Sequence, residues 1–144
     1  MSDAAYVELR LADVILHAGD VLIPELLSEL RTIAPVHAVL GNNDHELMRV
    51  LPETNLVTIE GVRIGMVHDS GARAGRAARM RRRFPDADVV VFGHSHEPQC
   101  EPGVDGQLLV NPGSPTERRR ASTHTLAVLE LRDGRVEHAA IVDV

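Results

Sequence analysis

The chain has 144 residues, 44% of them hydrophobic, enough to bury the core of one domain. Only 2% are aromatic and there is no Trp, so that core has to come from Val, Leu, Ile and Ala, as in an α/β domain with β-branched strands. A formal charge of −6 argues against a general nucleic-acid or membrane-surface binder, and the single Cys100 excludes an internal disulfide. No apolar run approaches the length a bilayer needs and no basic-then-apolar signal opens the chain, so a reducing, cytoplasmic setting is expected.

Residues 1–144 read as a single domain, within which 1–11 are poorly defined, a short helix or a loose arm. Ala12 to His17 is a short apolar run stopped by Ala18-Gly19-Asp20, a central strand and a sharp turn. Pro24 opens a helical pattern with Leu26, Leu27, Leu30 and Ile33 on one face, and Pro35 closes it. Val36 to Leu40 is the next strand, ending in Gly41-Asn42-Asn43-Asp44, and His45 to Val50 spans one or two helical turns. Leu56 to Glu60 and Val62 to Val67 form a hairpin about Gly61, and the second strand ends in His68-Asp69. Ala74 to Phe84 has helical composition studded with arginine. Val89 to Phe92 is a fully apolar strand followed by Gly93-His94-Ser95-His96, and Gln107 to Val110 is another strand. Thr125 to Leu131 and Val136 to Val142 flank Asp133-Gly134, a strong hairpin signal. The pattern is parallel βαβ early and antiparallel β late.

Four strands run straight into loops that begin with ligand-type residues: Asp20, Asn42 with Asp44, His68 with Asp69, and His94 with His96. In a sheet with parallel central strands such tips share one edge, the usual place for a site in open α/β folds. A mixed set of carboxylate, amide oxygen and imidazole suits Mn²⁺, Fe or Zn²⁺ better than Ca²⁺, which prefers oxygen alone, or structural zinc, which prefers thiolates.

In order and placement these motifs resemble the calcineurin-like metallophosphoesterases, in particular the small bacterial and archaeal phosphodiesterases. The resemblance runs through His17-Ala-Gly19-Asp20, Gly41-Asn42-Asn43-Asp44, Gly65-Met-Val-His68, Gly93-His94-Ser95-His96 and the Asn111-Pro112-Gly113-Ser114 loop, over about Ala12 to Leu131. It implies a sandwich of two mixed β-sheets flanked by helices, with the metal site at the strand tips. It also implies that Asp20 bridges two metals, that Asn42, His68 and His94 complete the second site, and that His96 serves the first. The implied cofactor is one or two divalent ions per chain, Mn²⁺ foremost, with Fe, Zn²⁺ and Ni²⁺ compatible. The implied catalytic residues are Asp20, Asn42 and His94, acting on phosphate diesters through a metal-activated water.

Two departures temper that picture. The family's Asp-x-His on an opening strand is absent, and Ser2-Asp3-Ala4-Ala5 is the nearest fragment. Either truncation or divergence accounts for it, and either implies a weakened first site, an uncovered sheet edge and self-association into a homo-oligomer. Asn43 stands where many members carry a histidine that assists the leaving group, and an amide is no general acid at neutral pH. Both departures leave open a catalytically weak scaffold of the same fold that works through protein contacts. The arginines from Arg73 to Arg83 read first as a solvated helix face and second as an attraction for a phosphate-bearing substrate. His17 reads first as structural or exposed and second as a residue that orients Asp20, and Cys100 as a small buried thiol after a strand.

Overall fold

The computed structural model describes residues 1–144. Ser2 caps helix α1 (Asp3–Arg10) by accepting the Ala5 amide at 3.1 Å, with Asp3 and Arg10 at the dipole ends that suit their charges. The fragment closest to Asp-x-His therefore lies in a helix and not at a strand tip. Strands β1 (Ile15–His17) and β2 (Val36–Ala38) pair in parallel, connected by α2 (Pro24–Ile33). Pro24 can begin α2 because the first helical residue needs no amide donor.

A 3₁₀ turn over His45–Leu47 precedes the hairpin β3 (Thr54–Ile59) and β4 (Val62–Val67). Helix α3 (Arg76–Arg83) returns the chain to β5 (Val89–Phe92), which is followed by β6 (Gln99–Pro102) and β7 (Leu108–Asn111). A final antiparallel pair, β8 (Thr125–Arg132) and β9 (Arg135–Asp143), turns at Asp133-Gly134 as its sequence predicts.

The centre is a mixed five-stranded sheet in the order β3-β4-β5-β7-β6, parallel through β4, β5 and β7 and antiparallel at both edges. Period-two alternation divides its side chains between two faces. Val62, Ile64, Met66, Val89, Val91 and Val110 pack on one face, together with Leu16 and Ala18 beside β1 and Ala127 and Leu129 of β8. Val67, Val90, Phe92 and Leu109 take the other face, under Met80 and Phe84 from α3. Leu27 and Leu30 of α2 cover the far side of β1 and β2. The result is an α/β sandwich in which β1–β2 and β8–β9 occupy the layer opposite the main sheet. Each fully buried side chain of this kind contributes about 1.5–3 kcal/mol.

Gly65 shows how tightly α3 is seated: a Cβ there would lie 2.6 Å from the Phe84 ring. Strand β6 has no counterpart in the sequence pattern, because Gln99-Cys-Glu-Pro shows no apolar alternation. Backbone pairing to β7 holds it at the sheet edge, where Pro102 is tolerated. Cys100 accordingly lies within a strand and not after one, half-buried against the core, where burial pushes its thiol pKa up. No helix is long and apolar enough to cross a membrane.

Candidate metal centre

The strand tips predicted to converge are joined by backbone and ring contacts. The Gly93 amide after β5 donates to the His68 carbonyl after β4 at 2.9 Å. His68 Nδ1 lies 2.7 Å from the carbonyl oxygen of Ala18, at the tip of β1. A carbonyl only accepts, so Nδ1 carries the proton and Nε2 of the neutral ring presents a lone pair. That lone pair faces Asp20 Oδ2 at 3.4 Å and His94 Nδ1 at 3.3 Å.

Three of the four residues that the resemblance implies for the second site's donor set, with the bridging Asp20 among them, thus gather about His68 Nε2. Neighbouring ligands of one cation, with bonds of about 2.1 Å, stand about 3.0–3.4 Å apart, so the spacing and the chemistry of this trio fit a divalent ion. As the side chains stand, however, no three His, Cys, Asp or Glu groups close into a coordination sphere. His94 would have to give up its Nδ1 proton, and the pair would have to open slightly, for an ion to enter.

Asn42 is exposed and lines an open cavity of about 340 Å³ that it shares with His68 and Asp69. His96 is directed elsewhere, with Nδ1 2.8 Å from the Glu117 carbonyl and 3.9 Å from its carboxylate. The structure therefore groups Asp20, His68 and His94, places Asn42 beside them, and ties His96 to the loop after β7.

Asp44, read from the sequence as ligand-capable, has another task. It is 1% exposed, and its two carboxylate oxygens accept the Leu22 amide at 2.8 Å and the Gly41 amide at 2.7 Å. One side chain thereby locks the loop bearing Asp20 to the loop bearing Asn42. Gly41 makes the approach feasible, because a Cβ there would overlap the Asp20 backbone nitrogen and carboxylate. Asp20 itself accepts the Asn43 amide at 3.0 Å. Burial works to raise its pKa, yet that hydrogen bond and the neighbouring His68 and His94 outweigh it and keep the carboxyl below its ordinary value.

Asp20, His94 and His96 all sit in the left-handed region, with φ of 55°, 66° and 59°. Such backbone costs about 1–2 kcal/mol per residue and persists only where the surroundings enforce it. Asn111 supplies part of that enforcement. Fully buried, it donates to the Gly93 carbonyl at 3.0 Å and Ser95 Oγ at 3.1 Å, and accepts the Gly113 amide at 3.0 Å. Arg119 adds a bond to the His94 carbonyl at 2.7 Å. Reading by motif marks the Asn111 loop but misses these duties, since they depend on partners up to 25 residues away.

Residues 2–134 match the family model for the calcineurin-like phosphoesterase superfamily domain. The chain belongs to this superfamily. A relative from Methanothermobacter thermautotrophicus, named "probable metallophosphoesterase", is 36% identical over 143 residues, covering 97% of this chain and 81% of its own length. A second, from Methanocaldococcus jannaschii and of the same name, is 36% identical over 120 residues, covering 81% of this chain and 60% of the relative. Among solved structures, Vps29 of Entamoeba histolytica in complex with zinc superposes with a TM-score of 0.78 at 26% identity, over 99% of this chain and 89% of that one. An archaeal phosphodiesterase superposes with a TM-score of 0.76 at 20% identity, over 97% of this chain and 88% of that one, a likeness of fold. The family implies divalent metal ions.

Proposed function

We propose that the chain is a metal-dependent phosphodiesterase, with Asp20, Asn42, His68 and His94 holding the principal divalent ion, Mn²⁺ foremost, and His96 contributing to the weaker first site. The observation that carries the reading is the Nε2 lone pair of His68 facing the Asp20 carboxylate and His94. Two lone-pair donors face to face repel unless a proton or a cation lies between them. A bound divalent ion supplies charge that neutralises the phosphoryl oxygens and acidifies an attacking water.

The chain's own residues do the rest. The Ala18 carbonyl fixes the His68 ring and the Gly93 amide its backbone, Asp44 holds the Asp20 and Asn42 loops in register, and Asn111 holds the His94 turn. Asn43 cannot protonate a leaving group, so esters whose leaving group departs unprotonated are favoured, aryl diesters above alkyl monoesters.

The test measures metal content and hydrolysis of bis(p-nitrophenyl) phosphate for protein supplied with Mn²⁺, beside Asp20→Ala and His68→Ala. Bound metal and turnover that both variants lose are expected; no metal above background in the parent protein would remove the proposal. Comparable turnover of an alkyl monoester would refute the leaving-group preference.

A second reading has its own observation. His96 is bound to the Glu117 loop, and the Asp-x-His motif is absent, so the other half of a two-metal site is thin. A weakly active scaffold of this fold, working through protein contacts, accords with that. We further propose self-association along β1, which is paired to β2 on one edge only. Sedimentation equilibrium reading a monomer at all concentrations would rule it out.

A further inference from the structure

The arginines of the α3 region divide sharply by what they touch. Arg76 donates to Gln99 Oε1 at 2.8 Å and to the Gly71 carbonyl at 3.2 Å, and lies over the Phe92 ring at 4.8 Å. Arg79 donates to the Ser70 carbonyl at 2.9 Å and to that of Ala72. These two staple the loop after His68 to α3, which a solvated helix face would not do. Arg73 pairs with Glu101 at 3.4 Å, and Arg81 lines a separate recess with Arg63, Asp86 and Asp88.

Arg83 is different. Like Arg81 and Arg82 it has neither ion pair nor hydrogen bond, but of the three it alone lines the cavity of about 340 Å³ that Asn42 and His68 also line. Helical side chains lean toward the N-terminus of their helix, which carries its guanidinium from the end of α3 back toward the strand tips. Two exposed carboxylates, Glu53 and Asp69, line the same cavity, and Asp69 accepts the Gly71 amide at 2.8 Å. The volume lies within the range of small-ligand sites, about 300–1,000 Å³.

We infer that Arg83 determines substrate class, binding a second anionic group of a phosphoester whose reacting phosphoryl lies at Asn42 and His68. The inference rests on the phosphoesterase reading and narrows it to esters bearing a further phosphate or carboxylate. A guanidinium is charged at every relevant pH and offers a planar fork that matches the oxygens of such a group.

The experiment has a binding arm and a kinetic arm. In the binding arm, metal-free protein is titrated with 1,3-propanediol bisphosphate and with propyl phosphate while arginine Nε–Hε resonances are followed. The Arg83 signal should move with the bisphosphate, and Arg83→Gln should weaken that ligand about tenfold or more, Arg83→Lys less, and Arg82→Gln not at all. In the kinetic arm, Mn²⁺-loaded Arg83→Gln should raise KM for a nitrophenyl diester bearing a remote phosphate by about the same factor. Its kcat, and its KM for bis(p-nitrophenyl) phosphate, should stay at the parental values.

Equal effects on both esters, or bisphosphate binding indifferent to Arg83→Gln, would overturn the inference while leaving hydrolysis intact. Arg83-dependent bisphosphate binding without turnover of either ester would instead remove the phosphoesterase reading and keep the anion subsite.

Discussion

The Nδ1–H of His68 donates to the carbonyl oxygen of Ala18 across 2.7 Å, joining residues 50 apart in sequence. The bond decides which nitrogen of the ring is free, and so which way the candidate centre points its electrons. In metal-free protein above neutral pH, ¹⁵N spectra of the histidine rings should show His68 as the Nδ1–H tautomer, with that proton slow to exchange. An Nε2–H tautomer would mean the ring is not presented as described.

Asp44 should matter to stability out of proportion to its single side chain. Asp44→Ala leaves the Leu22 and Gly41 amides without acceptors, and each charge-assisted bond of this kind is worth about 1.5–3 kcal/mol. Urea denaturation should register a loss of about 3–5 kcal/mol, with weaker metal uptake. A loss below about 1 kcal/mol would show that the two loops do not depend on it.

Gly65 is predicted to be intolerant for a steric reason. The Phe84 ring occupies the space a methyl group would need, so Gly65→Ala should cost about 1–3 kcal/mol through displacement of α3. Combining it with Phe84→Leu should cost less than the sum of the two single changes, which a double-mutant cycle in urea would measure.

Tyr6 is the only tyrosine, and there is no Trp, so its ionisation can be followed directly by ultraviolet absorbance. Its hydroxyl donates to Glu29 Oε1 at 2.6 Å, and that bond, with some desolvation and the Glu29 charge, raises its pKa above 10.0. The titration midpoint should fall in Glu29→Ala. Because the folded value is the raised one, the stability linked to this contact is complete below pH of about 10. It is lost as pH rises through the folded value, so α1 should loosen from α2 in alkali.

Most of the architecture was legible because its signals are local. The unbroken apolar run of Val89 to Phe92, Gly61 and Gly134 in hairpin turns, and prolines at both ends of α2 each declare their element within a few residues. Strand β6 was not legible, since Gln99 to Pro102 is extended only because β7 offers it a backbone edge. The basic stretch from Arg73 to Arg83 has one composition but several fates, settled by which carbonyl, ring or carboxylate each guanidinium meets.

The sequence by itself determined which residue types stand at the strand ends, because a residue's place after its strand is set by chain order whatever the packing. Tertiary structure alone decided how those ends are used. It set Asp20, His68 and His94 against one another, turned Asp44 into a clasp between two loops, and sent His96 to Glu117. The physical reason is that strand signals are short-range periodicities, whereas the direction of a lone pair depends on a hydrogen bond to a residue far along the chain.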